Sequence, residues 1–389
     1  MRDREKIYLD YAATTPVDGR VLHGMLPFFD QAFGNPASIH QFGQEAEAAI
    51  EQARETMARI MGCQPLEVVF TSCGSESDNL ALRGVALAAS RQRSANHILI
   101  TPVEHHAVSR TALQLADLHG FEVEFIPVDD YGQVKPEDVA SRLRPDTAIV
   151  SVIYANNEIG TINPIREIGQ VCRARGIPIH SDAVQAAAFL PVKVDDLHVD
   201  LLSIGAHKFY GPKGVGALFI RQETPILPVQ TGGSQEHGLR AGTSNTPFIA
   251  GLTEAFQLAV DERVKRIAAL QPLRDHLINR ILNKIPDSQL TGHPTKRLPN
   301  HASFVFEGAD GNQLLAMLDV AGFACSSGSA CKTGDPEPSD VLLALGLPRE
   351  WALGSLRVTL GAGTTEEHIE KFTQVLPGLV ERVRKLTVS

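Results

Sequence analysis

The sequence predicts an α/β protein with a mostly parallel sheet covered by helices on both faces. Three observations carry this. Short, continuously apolar runs recur through the middle of the chain. Helix-like stretches separate them. Several runs lack the alternation of a half-exposed sheet, as expected when both faces are buried.

The strand segments, in order, are "LEVVF", "HILIT", "FEVEFIP", "TAIVSVI", "IPIHS", "VDLLSI" and "GALFI". Strands alternating with helices imply βαβ units and hence parallel pairing. Among the helices, "NPIREIGQVCRARG" reads with Asn163 as N-cap, Pro164 at the first position and Gly176 as the stop. After about residue 260 the pattern changes. A long helical stretch leads to "HASFVFEG", "GFACSSGSAC" and "SLRVTLG". The expected division is a large domain over 15–260 and a smaller α/β domain formed by 1–14 with 261–389. There is no internal repeat or low-complexity tract.

Composition narrows the function. The chain has 389 residues and a net charge of −9, with no long basic run, which argues against nucleic acid as a direct partner. The start, "MRDREKIYLDYAATTP", is charged and has no apolar core, so a secretory signal is not expected. No apolar stretch is long enough to cross a bilayer. The five cysteines have no zinc-ribbon spacing, and free thiols in a reducing cytoplasm are expected.

Four segments suggest chemistry. In "TSCGSESDNLALRG", Gly74 and Ser75 stand where a strand gives way to a helix. A helix start after glycine suits a phosphate, although Ser75 or Ser77 as an ordinary helix cap explains it equally well. In "IPIHSDAVQ", Asp182 lies at a strand's carboxyl end, where open α/β sheets bind ligands. An N-capping aspartate is the plainer alternative. In "GAHKFYGPKG", Lys208 follows another strand. It is either a solvated loop lysine or an amine set to hold a carbonyl compound. In "VEHHAV", His105 or His106 is either a helix-start histidine facing water or a ring stacked on a flat ligand. Together they offer a phosphate site, an anion for a ring cation, an amine for an aldehyde and a stacking ring. Pyridoxal phosphate needs all four.

Along nearly all its length the chain resembles the group I cysteine desulfurases, the NifS/IscS group of fold-type I pyridoxal-phosphate enzymes. The matching stretches are "YLDYAATTPVD", "FGNPASIHQFG", "FTSCGSESDN", "VEHHAV", "ANNEIG", "HSDAVQ", "AHKFYGPKG", "RAGTSN" and "CSSGSAC…EPSDVL". The "TSCG" variant is closer to the nitrogen-fixation branch. The resemblance implies an aspartate aminotransferase-like fold with a seven-stranded, mostly parallel sheet. It implies Lys208 as the Schiff-base lysine, Asp182 on the pyridinium and Gln185 on the ring hydroxyl. His105 would stack on the ring and move protons. Gly74, Ser75 and His207 would hold the phosphate, and Thr243 would reach the neighbouring subunit's phosphate in a homodimer. Asn157 would sit by ring and substrate. Arg357, helped by Asn35, would clamp the carboxylate of L-cysteine.

Cys331 would attack the substrate sulfur, giving L-alanine and an enzyme persulfide for iron–sulfur assembly or another acceptor protein. The attacking species is the thiolate, and serine and glycine neighbours suit an exposed position. No resident metal is expected, though Cys331 could touch a transient iron–sulfur cluster on a scaffold. Three departures stand out. Gly205 replaces a serine that binds phosphate in many members, so weaker cofactor binding is expected. Cys325 lies six residues before Cys331, with packing as its expected role ahead of sulfur relay or a regulatory disulfide. The chain ends at "RKLTVS", without the tail that docks a scaffold in housekeeping members. An aminotransferase, or a lyase acting on cystine or selenocysteine, would keep Lys208 and Asp182 without needing Cys331. A silent scaffold would be expected to lose Lys208 or Arg357.

Overall fold

The computed structural model describes residues 6–328 and 337–387. Its strands in chain order are β1 (Ile7–Tyr8), β2 (Val68–Thr71), β3 (His97–Ile100), β4 (Glu122–Phe125), β5 (Thr147–Ser151), β6 (Ile179–Asp182), β7 (Leu201–Gly205), β8 (Gly216–Ile220), β9 (Ser288–Leu290), β10 (His301–Phe306), β11 (Phe323–Ala324) and β12 (Ser355–Thr359). The seven segments read as central strands are β2 to β8. They form one seven-stranded sheet in the order β2-β8-β7-β6-β5-β3-β4. Pairing is parallel except at β8, which runs antiparallel to both β2 and β7.

Successive side chains point to opposite faces, so both faces must be apolar where both are covered. Ile98 and Ile100 join Val69, Leu201 and Leu218 beneath Leu82, Val85 and Ala86 of the helix Gly74–Arg93. Leu99, Phe70, Leu202 and Phe219 belong to the opposite core with Ile168 and Phe256. The rim strand β4 reads "EVEF" and stays partly exposed. Glu122 pairs with Arg144, and Glu124 with Arg142.

The register aligns the strand ends. Thr71 lies opposite Gly216, which lies opposite Gly205. Asp182 lies opposite Ser203, and Ile100 opposite Ser151. The loops after β2, β3, β5, β6 and β7 therefore leave the same edge of the sheet.

The helix expected to start at Asn163 spans Ile165–Arg173, and the capping position is Pro164. This corrects the predicted cap. Asn163 is buried and has other work: Oδ1 accepts from the Val134 N–H at 2.9 Å, and Nδ2 donates to the Ile153 carbonyl at 2.8 Å. Satisfying two buried backbone groups outweighs capping one helix end. Gly176, at φ +64°, carries the turn beyond the helix.

Beyond residue 260, β9, β10 and β12 form an antiparallel sheet in the order β12-β10-β9. The helix Glu366–Thr387 contacts both Arg263–Lys284 and Gly311–Ala321, which also contact β10 and β11 respectively. β1 pairs in parallel with β11, which brings the start of the chain to this region.

At the other rim of the large sheet, β2 meets a buried ion pair. Arg54 donates to Glu236 at 2.7 Å and to the Val68 carbonyl at 2.6 Å. Glu236 also accepts from the Phe70 N–H at 2.9 Å. The pair thus occupies the strand's outward donor and acceptor, and the Arg54 guanidinium stacks over Phe70 at 4.9 Å. Glu236→Ala leaves the Phe70 N–H without its acceptor and the buried Arg54 with only the half-exposed Glu51 and the Val68 carbonyl, so it should destabilise the fold by about 2–4 kcal/mol. Denaturant unfolding of wild type and variant measures it, and an unchanged midpoint would contradict the assignment.

Candidate active site

The loops at the shared sheet edge enclose a pocket of about 240 Å³ lined by Gly74, Ser75, Asp78, His105, Asn157, Asp182, Gln185, His207, Lys208 and Arg357, among others. The helix Gly74–Arg93 begins directly after the β2 turn, and no side chain caps its first turn. Neither serine is the cap, then: Ser75 is exposed, and the buried Ser77 hydroxyl lies 2.8 Å from Thr71 Oγ1. A Cβ at Gly74 would lie 2.5 Å from Val184 Cγ2. Glycine is required here because the loop after β6 comes so close. The result is a bare helix N-terminus facing the pocket, which is the arrangement that binds phosphate.

Asp182 is 5% exposed at the end of β6, and its Oδ1 accepts from the Val184 N–H at 2.8 Å. Burial pushes its carboxyl up, and the charges of His105 and Lys208 oppose this. Behind it stands Asp78, raised by burial and then by Asp182, with Oδ1 lacking a hydrogen-bond partner. Donor atoms of Asp78, His105 and Asp182 lie within 4.8 Å of one another, close enough for a metal ion. The adjoining amine and helix N-terminus fit a different guest. A phosphorylated pyridine aldehyde fits them: the amine would take its aldehyde, the helix N-terminus its phosphate, and the buried carboxylate its ring N–H.

Lys208 closes the short turn Ala206–Lys208 after β7. Its Nζ donates to the carbonyls of Ala12 at 2.6 Å and Ala13 at 2.8 Å. Burial, assisted by Arg357, lowers its pKa to about 8, while Asp10 and Asp182 pull the other way. An amine so placed is partly neutral near physiological pH and can attack a carbonyl. Gln185 Nε2 donates to the same Ala12 carbonyl at 2.7 Å.

His105 caps the helix His106–His119, its Nδ1 accepting from the Ala107 N–H at 3.1 Å. In the neutral ring the proton therefore sits on Nε2, and burial lowers the pKa. His105 thus starts the helix, as one reading has it, and also lines the pocket. Burial takes His207 down to about 4, with Nδ1 3.2 Å from Thr14 Oγ1. A neutral imidazole can donate to a phosphate without adding charge.

Arg357, on β12, pairs with Asp10 at 2.9 Å and donates through Nη1 to the Asn157 carbonyl at 3.0 Å. Its buried Nε has no hydrogen-bond partner among the described residues. His301 Nε2 lies 3.1 Å from the same Asn157 carbonyl. Asn35 and Thr243 do not line this pocket within one chain. They line a second one together, with Arg54, Glu236 and His237. Cys331 lies outside the described residues. Cys325 is partly buried, and burial pushes its thiol far up, which disfavours a nucleophilic thiolate there.

Sequence reasoning missed Asp78 and Asp10. Asp78 sits three residues after Ser75, so one helical turn carries it under the same pocket. Asp10 is quoted in "YLDYAAT", but its ion pair with Arg357 spans almost the whole chain.

Two outcomes follow. Uptake of pyridoxal phosphate by cofactor-free protein should accelerate as pH rises through about 8 and then level off, because Lys208 attacks only when neutral. An unperturbed lysine would keep accelerating towards 10.5. The sign for stability agrees: the folded chain binds fewer protons than the unfolded one between these values, so this lysine makes cofactor-free protein more stable as pH climbs across them. Stopped-flow absorbance reads the first effect. At Gly205 an added Cβ would lie 3.5 Å from the Gly74 nitrogen and 3.3 Å from Val184 Cγ1. Gly205→Ser therefore puts a hydroxyl beside the helix N-terminus and should tighten cofactor binding about fivefold, the order of one added hydrogen bond. Equilibrium dialysis checks this, and no gain would show that the hydroxyl cannot reach.

The aminotransferase class-V family model matches residues 7–372. Cysteine desulfurase IscS of Dictyoglomus turgidum is 47% identical over 384 residues, covering 99% of this chain and 97% of that one. A solved NifS-like protein superposes with a TM-score of 0.89 at 36% identity, covering 97% of this chain and all of the other. A structure of SspA in complex with cysteine superposes with a TM-score of 0.79 at 34% identity, covering 91% and 98%. The lysine, buried aspartate, pocket-lining histidine and bare helix N-terminus thus occur in a chain that belongs to the class-V aminotransferases, pyridoxal-phosphate enzymes, and among them to the cysteine desulfurases.

Proposed function

We propose that this chain moves the sulfur of L-cysteine onto Cys331, leaving L-alanine, and that the residues around Lys208 divide the work as follows. The substrate Cβ–Sγ bond breaks, an S–S bond forms on Cys331, and the carbon takes up a proton. Pyridoxal phosphate, when bound, supplies the electron sink that makes the substrate's α-carbon acidic. The observation that carries the reading is one pocket holding a partly neutral lysine, a desolvated aspartate and an arginine whose Nε has no hydrogen-bond partner among the described residues.

Lys208 would hold the cofactor, and its partly neutral amine can take up and release a proton. Asp182 keeps the ring nitrogen protonated, and Asp78 behind it raises the cost of leaving that site without a cation. His105 stacks on the ring and holds its proton at Nε2. Gln185 serves the ring hydroxyl, and Asn157 borders ring and substrate. Gly74, Ser75 and His207 hold the phosphate. Arg357 binds the substrate carboxylate through the Nε edge left free by Asp10 and Asn157. This requires the thiolate of Cys331 to meet the substrate sulfur, as the "SSGSAC" stretch suggests.

Thr243 and Asn35 act in a homodimer, each reaching the other subunit's pocket. Their shared lining supports this, as does the apolar surface beside Asn35: Ile39 is 93% exposed and Phe33 63%. The residues beyond 260, with the first strand, act as a smaller domain bearing Arg357 and the Cys331 segment. The persulfide passes to an iron–sulfur scaffold or another acceptor protein in a reducing cytoplasm. Among the described residues no helix is long and apolar enough to cross a membrane.

Cys331→Ala separates binding from sulfur transfer. L-cysteine should still change the cofactor's absorption, since Lys208, Asp182 and Arg357 are intact. Alanine release should fall on the order of a thousandfold, as for other lost covalent nucleophiles. Cys325→Ser should stay near wild type. Undiminished alanine release by Cys331→Ala would remove the thiol from the scheme.

A further inference from the structure

Glu158 has no place in the scheme above, yet it is a largely desolvated carboxylate beside the pocket. It follows Asn157, whose carbonyl orients Arg357. Its backbone is held firmly: the Glu158 and Ile159 N–H groups both donate to Asn156 Oδ1, at 2.7 and 2.9 Å. Asn156 Nδ2 is anchored on the Val103 carbonyl at 2.8 Å. From this rigid turn the carboxylate meets two distant residues at one oxygen. Oε2 accepts from the Ser339 hydroxyl. It also lies so close to Gly328 that any Cβ there would collide with it. The same Cβ would come within 3.1 Å of Ser339 Cβ, so Gly328 and Ser339 are themselves neighbours.

Gly328 precedes Cys331 and Ser339 follows it. A second tie acts on the first flank: Ser326 pairs with Arg357 backbone to backbone, and its hydroxyl donates to Asp10 Oδ2 at 2.7 Å. Both flanks of the cysteine segment are therefore referred to the substrate-binding arginine, one through Asp10 and both through Glu158. Placing a carboxylate here is costly, because burial pushes its carboxyl up to about 7 despite Ser339 and Arg357. An amide or a small apolar residue would fill the space at less expense.

We infer that Glu158 is a positioning residue for sulfur transfer: its carboxylate joins Gly328 to Ser339 and so sets the reach of Cys331 towards a substrate held on Arg357. The inference rests on Cys331 as the nucleophile. Positioning of this kind acts on the attack and leaves substrate binding alone, and a misplacement near 1 Å costs on the order of a hundredfold.

The test uses the cofactor-loaded enzyme. L-cysteine affinity is read by spectral titration and alanine formation by single-turnover quench, for wild type, Glu158→Ala, Glu158→Gln, Ser339→Ala and the Glu158→Ala/Ser339→Ala double variant. Glu158→Ala should bind L-cysteine within about twofold of wild type and form alanine on the order of a hundredfold more slowly. Glu158→Gln keeps an acceptor for Ser339 and should recover most of the rate. The double variant should be no slower than Glu158→Ala, since both substitutions break one link. If Glu158→Ala forms alanine at the wild-type rate, or if the two losses multiply, the inference falls. Should Glu158→Ala not fold, Glu158→Gln and Ser339→Ala decide, because a loss at Ser339 without recovery by glutamine also overturns it. Cys331→Ala in the same assay separates the two readings. Full alanine formation there would end the nucleophile assignment itself, whereas its loss beside an unaffected Glu158→Ala would end only this inference.

Discussion

The pocket is organised around the cost of withdrawing the Asp182 carboxylate from water at the end of a central strand. An isolated buried charge is not tolerated, so it must be neutralised or paired. Within the chain it has one backbone N–H and the influence of His105 and Lys208, and Asp78 stands behind it. A cationic ring placed against it would relieve that imbalance. The depressed lysine follows from the same dryness, since desolvation is the first cause of its shift as well. One property of the site, exclusion of water, thus shapes both the carboxylate and the amine.

The sheet makes this possible by direction alone. Parallel strands deliver their following loops to one edge, and the antiparallel β8 returns the chain without placing a loop there. Gly74, His105, Asn157, Asp182 and Lys208 come from five such loops, far apart in sequence. Arg357 reaches them from a separate sheet. Its orientation depends on Asp10 and on the Asn157 carbonyl that it shares with His301.

The large sheet was legible because its inner strands are apolar on both faces, which leaves an unbroken signal in the sequence. The residues ending those strands could be placed in one pocket on that basis. Asn163 was misread because a buried amide serving two backbone groups looks, in sequence, like a helix cap. Asp78 was missed because a carboxylate inside a helix ordinarily faces solvent, and only the packing of that helix over the sheet turns it inward. The positions of Asn35 and Thr243 were not legible either: a single chain gathers them at a second pocket, and their use depends on what lies opposite. The resemblance identified the role of Cys331 and said nothing of Glu158, whose contacts join segments separated by more than 150 residues in sequence.

The two rims of the large sheet are closed in chemically different ways. Outward backbone groups of a rim strand invite another strand to add itself. At β4 the deterrent is a row of half-exposed carboxylates and guanidiniums. At β2 the outward groups are already occupied by Arg54 and Glu236, 4% exposed each. Dissolved salt weakens the first deterrent and barely reaches the second. In concentrated electrolyte the molecule therefore becomes sticky on one flank only. Association begun there would join copies β4 to β4, leaving β2 unengaged.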